Sequence, residues 1–104
     1  MLFSDRSIIL ILAKKKTQTT RLVEPRVKVG KVYSIRKHGL RKSYGSIRII
    51  SKKKLVLEVF TKADMKREGY DNLKKFIKAL ERRNSTKISL QRPIWKIIFK
   101  YLPR

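Results

Sequence analysis

The chain has 104 residues, enough for one small domain, and 41% of them are hydrophobic, enough for that domain to fold around a core. It has no cysteine, which excludes disulfides and thiolate metal sites and makes a cytoplasmic location the simplest expectation. Twenty-nine Lys and Arg stand against seven Asp and Glu, a net charge of +22; such an excess attracts polyanions, nucleic acid foremost.

The first predicted element is a helix. Ser4 or Asp5 can cap it, and Ile8, Ile9, Leu12 and Ala13 fall on one face. Its apolar run is only six residues long and meets Lys14-Lys15-Lys16 at once, too short for a membrane span or a secretory signal. Positive charge near Lys14 suits a helix C-terminus. The segment Lys16-Thr17-Gln18-Thr19-Thr20-Arg21 follows and favours extended backbone.

Glu24-Pro25 interrupts the chain. Val27, Val29, Val32, Tyr33 and Ile35 then read as strand, with Gly30 as a turn or bulge. Residues 37–45 form a basic loop with two glycines. Residues 47–51 and 55–60 read as two strands of a hairpin whose tip is Lys52-Lys53-Lys54. Thr61-Lys62-Ala63-Asp64 fits a capping box, so a short helix is predicted to about Glu68, where Gly69 stops it. Asp71 is expected to cap a second helix that buries Leu73, Phe76, Ile77 and Leu80. Residues 94–101 make a nearly continuous apolar strand suited to the middle of a sheet or barrel. Trp95 and Tyr101 are read as core because their neighbours are apolar. The order predicts a single α+β domain over residues 1–104, a small, partly closed β-barrel with helices at its ends.

Three landmarks in this order resemble the ASCH domain family of the PUA-like superfamily. Leu2-Phe3, a helix and then Lys16-Thr17-Gln18-Thr19-Thr20-Arg21 are similar to the family's Gly-x-Lys-Thr-x-Thr-x-Arg. Val29-Gly30-Lys31-Val32-Tyr33 is similar to its x-Gly-Asp-x-Tyr strand start. Residues 60–64 with Glu68-Gly69-Tyr70 and Leu73 are similar to its helix followed by Glu-Gly-Phe/Tyr. Lys14 stands where the family usually has glycine, and Lys31 where aspartate is common. The resemblance implies a small barrel, an N-terminal helix, two short helices before the last strand, and a cleft beside the threonine-rich segment, in a superfamily associated with RNA. Some bacterial ASCH proteins resemble amidohydrolases of N4-acetylcytidine that use a lysine, a threonine and a glutamate. By motif position these match Lys16, Thr19 and Glu68.

Two chemistries compete for this cluster. In hydrolysis, a base must take the threonine proton, and a lysine does so when burial or nearby cations depress its pKa; Glu68 would hold the amine or relay a proton. In binding, Arg21 offers a planar fork to phosphate or a base edge, and Lys16, Thr17, Gln18 and Thr19 add donors. Arg36, Lys37, Arg41 and Lys42 extend a phosphate track, with Tyr44 in reach for stacking. His38 is the one histidine, and without cysteines it makes no zinc site; no metal and no cofactor is expected. The leading expectation is nucleic-acid binding, RNA before DNA, with no membrane partner. The alternatives are an amidohydrolase of acylated cytidine and a basic adaptor for an acidic protein.

Overall fold

In the computed structural model, which describes residues 1–103, the elements are α1 (Asp5–Leu12), β1 (Gln18–Arg21), β2 (Val32–Arg36), β3 (Ser43–Val56), α2 (Lys62–Glu68), α3 (Leu73–Asn84) and β4 (Pro93–Leu102). The four strands form one antiparallel sheet in the order β1-β4-β3-β2, curled into a half-barrel. The apolar β4 is indeed central, flanked by β1 and β3. Among the described residues no helix is long and apolar enough to cross a membrane.

Strand alternation sends β4 side chains to two cores. Ile97 and Phe99 join Phe3, Ile8, Ile11, Ile35, Ile47 and Ile49 on one side of the sheet. Ile94 joins Leu57, Met65, Phe76, Leu80 and Ile88 beneath α2 and α3 on the other. Residues 1–3 partly close the curl. Arg36 at the end of β2 receives the Phe3 N–H on its carbonyl and donates its own N–H to Met1, while the Arg21 guanidinium of β1 donates to the Leu2 carbonyl at 2.7 Å.

Several local expectations change. The predicted hairpin is a single fourteen-residue strand, β3, with Lys52, Lys53 and Lys54 paired opposite Ile97, Lys96 and Trp95. Pairing uses the backbone alone, so lysines are tolerated where their ammonium groups reach water or a carboxylate. A bulge between Ile49 and Ser51 leaves Ile50 half exposed. Residues 57–59 form a 3-10 turn that buries Leu57, in place of a strand. Asn72, one residue beyond Asp71, caps α3 by accepting the Lys75 N–H at 2.9 Å. β2 is shorter than the valine pattern suggests, because Gly30 turns the chain at φ +87° ahead of it. On α1 the buried face is Ser7, Ile8 and Ile11; Ile9 and Leu12 face outward.

α1 ends in a Schellman turn: the Lys14 N–H reaches the Ile11 carbonyl and the Lys15 N–H reaches that of Leu10. Lys14 therefore sits at φ +60°, the left-handed conformation that glycine adopts without steric cost. Lys14→Gly is expected to stabilise the domain by about 1 kcal/mol, a rise of about 4 °C in thermal midpoint, checked by circular dichroism melting.

Candidate functional site

The centre of the site is Glu68, the last residue of α2, which is 1% exposed. Lys16, leaving α1, reaches its Oε1 at 3.1 Å and its backbone carbonyl at 3.3 Å. That carbonyl lies at a helix C-terminus, where a cation is favoured. Gln18 Nε2 and Thr20 Oγ1 donate to Glu68 Oε2 at 3.0 and 2.7 Å. Both lie on β1, two residues apart, and so share a face.

The network continues outward. Arg67 Nε donates to Gln18 Oε1 at 2.9 Å, and its Nη2 meets Asp64 Oδ1 at 2.7 Å. Lys96 of β4 meets the same Asp64 oxygen at 3.0 Å. Asp64 also completes the capping box, accepting the Thr61 N–H on Oδ2 while Thr61 Oγ1 accepts the Asp64 N–H. A single polar chain thus links β1, α2 and β4. Gly69, at φ +84°, lets the backbone leave α2 against α1; a Cβ there would lie 2.8 Å from Leu10 Cδ1.

Burial depresses the Lys16 pKa; the Glu68 carboxylate opposes that shift, and the nearby charges of Arg83 and Arg21 add to it. Arg21 is lowered to about 10 by burial first and by Arg83 next, with Glu68 opposing. For Asp64, burial alone would raise the pKa, but the Thr61 N–H, the Lys96 and Arg67 hydrogen bonds and the Lys96 charge bring it down to about 2. Asp64 therefore contributes stability above its ordinary pKa and loses it as the pH falls from about 4 to about 2, a change of about 2 kcal/mol. Urea unfolding of wild type and Asp64→Asn across this window is expected to show the wild-type advantage vanish at the acid end.

The residues singled out in the sequence separate into three places. Lys16, Gln18 and Glu68 meet as described, all fully buried, and the space left beside them is about 10 Å³, room for one water at most. Thr19 lies on the opposite face of β1, 0% exposed, its hydroxyl without a hydrogen-bond partner among the described residues. The hydroxyl that does reach Glu68 belongs to Thr20. Arg21 also turns to the other face, lying 5.0 Å from the Phe3 ring centroid. With Thr20 it borders a second opening, of about 310 Å³, facing Arg83.

The third place is the basic loop. Arg36, Arg41 and Lys42 are exposed, Lys42 lies 5.1 Å from the Tyr44 ring, and Lys37 pairs with Asp5 at 2.9 Å. Asp5 begins α1, so the loop sits at one end of this helix, which is about 12 Å long. At its other end is an open groove of about 470 Å³ lined by Lys14, Lys15, Thr17, Lys66, Arg67 and Tyr70. Of these, only Thr17 is expected from the sequence to bind. Lys14 and Lys15 form a charge run whose local meaning is a helix end; Lys66 and Arg67 carry no local signal, because it is the packing of α2 beside α1 that brings them there.

No family model matches the sequence, and no curated protein matches it. Solved structures do. The chain is similar to an ASCH domain from Lactobacillus crispatus JV V101, with TM-score 0.75 and 17% identity over 93% of this chain and 70% of that one. It is similar to protein EF3133 from Enterococcus faecalis V583, of the DUF984 family, with TM-score 0.70 and 12% identity over 93% of this chain and 67% of the other. It is also similar to hypothetical protein PH0355, with TM-score 0.69 and 15% identity over 98% and 96% of the two chains. At such identities the likeness carries the fold.

Proposed function

We propose that this chain, which has the ASCH-type fold, binds single-stranded or looped RNA through its cationic surface. The carrying observation is the uncompensated charge. Against a net +22, six ion pairs form among the described residues, engaging Lys16, Lys37, Lys52, Arg67, Lys75 and Lys96. Most of the cations therefore have no carboxylate partner and are available to phosphates. The groove at the C-terminal end of α1 supports the reading further. It places Lys14, Lys15 and Lys66 around a hollow bordered by a threonine and a tyrosine, a combination suited to backbone phosphates and an unpaired base.

A second reading, hydrolysis of an acylated cytidine, is favoured by the buried Lys16–Glu68 contact and the depressed lysine pKa. It is disfavoured by Thr19, whose hydroxyl stands on the other face of β1, and by the absence of room for a nucleoside beside the pair. Binding is therefore the conclusion.

The test is fluorescence anisotropy of an end-labelled single-stranded RNA at low salt. Saturable binding is expected. No binding, or retention of an acidic protein unaffected by nuclease, refutes the proposal; release of cytidine from N4-acetylcytidine would restore the hydrolytic reading.

A further inference from the structure

Trp95 is the one tryptophan of the chain, and it belongs to neither core. It is partly exposed, on the central strand β4. Its cross-strand partners are Arg21 on β1 and Lys54 on β3, and residues directly opposite in antiparallel strands share a face. A row of cation, indole and cation therefore crosses three strands. Lys52, two residues before Lys54 on the same face, places its Nζ 5.3 Å from the ring centroid; that of Lys54 is 6.0 Å away.

The two lysines differ in how they are held. Lys52 is fixed by Glu24 at 2.8 Å and by the Val27 carbonyl at 3.2 Å. Lys54 is exposed and pairs with no carboxylate among the described residues. Trp95 is neither buried nor fully exposed, so part of it stays open to solvent with the two ammonium groups beside its ring. The two ammonium groups beside the ring also repel one another, and Glu24, on Lys52, is the one carboxylate that pairs with either among the described residues. An anionic ligand with a flat apolar group would satisfy both the charge and the ring.

We propose that Trp95, with Lys54 and Lys52 beside its ring, is a stacking platform for one unpaired base of a single-stranded nucleic acid. The base lies on the indole face in place of an ammonium group, and the freed ammonium meets an adjoining phosphate. Aromatic stacking combined with cationic contact to the backbone is how single strands are held without sequence preference, because every base has a π-face. This site deepens the RNA-binding reading and rests on it.

Because the indole is unique, it reports on its own site. Unlabelled oligouridylate is titrated into the full chain while tryptophan emission is followed; a parallel titration follows anisotropy of the end-labelled RNA. Emission is expected to be quenched along the same curve as the anisotropy. Trp95→Phe should keep most of the affinity. Trp95→Leu should lose about ten-fold while the slope of affinity against salt is unchanged, because no charge has been removed. Binding by anisotropy with unaltered emission overturns the platform and leaves RNA binding standing, as does wild-type affinity in a folded Trp95→Leu. Should Trp95→Leu fail to fold by circular dichroism, the wild-type quenching decides alone. No anisotropy change in the wild type defeats the RNA reading and the platform with it.

Discussion

Glu68→Ala is expected to destabilise the domain by about 3–5 kcal/mol, most of the stability of a small protein. The carboxylate accepts from Lys16, Gln18 and Thr20, all at most 3% exposed. Its removal leaves a buried ammonium with one backbone carbonyl as protein partner and takes the acceptor from two neutral donors. The large figure measures the break and not the worth of the intact pair, because both ions were already desolvated. A second signature distinguishes this from simple cavity formation. Without Glu68 the influence that raises the Lys16 pKa is gone, so burial depresses it further. A lysine whose folded pKa lies below its unfolded one costs least when it is neutral. The deficit of the variant should therefore shrink as the pH rises from the variant's lower folded Lys16 pKa to the wild type's own depressed one, and stay level above it. Urea unfolding at neutral and alkaline pH measures both. A loss below about 1 kcal/mol at neutral pH would mean that the pair contributes nothing special.

RNA affinity should fall steeply with salt. For single strands the logarithmic slope is about −0.7 for each phosphate neutralised, so about six contacts give a slope near −4 and a loss of about 300-fold between 50 and 200 mM salt. The groove offers a way to apportion that slope. Replacing Lys14, Lys15 and Lys66 together by alanine removes three of the cations lining it and should flatten the slope by about 2. These side chains are exposed and join no salt bridge among the described residues, so the fold should be little affected. Anisotropy titrations at several salt concentrations check both values. A wild-type slope near zero would exclude phosphate contacts as the source of affinity.

What was legible in the sequence is what local chemistry decides. Thr61 and Asp64 specify their own capping box, Gly69 its own left-handed stop, and the apolar run of β4 its central place. The lysines of β3 misled because a charged triplet between apolar stretches has the pattern of a hairpin tip; the partner strand that holds it straight lies about forty residues further on. The ASCH resemblance placed Lys16 and Glu68 together across fifty-two positions, which periodicity could not have done. It also selected Thr19 by motif position, whereas the period of two, applied to 16, 18 and 20, would have pointed to Thr20. The apolar sequence neighbours of Trp95 point to the core, but its cross-strand partners are Arg21 and Lys54, and those come from other strands.

The place of β4 has a consequence for biosynthesis. β1 and β3 are translated well before the strand that joins them, and neither pairs with the other. While the ribosome is still at work, the β2–β3 hairpin can form, but β1 has no sheet to enter. Assembly waits for the middle of the sheet to arrive, a late and largely single event that closes long loops at once and sets the pace of maturation.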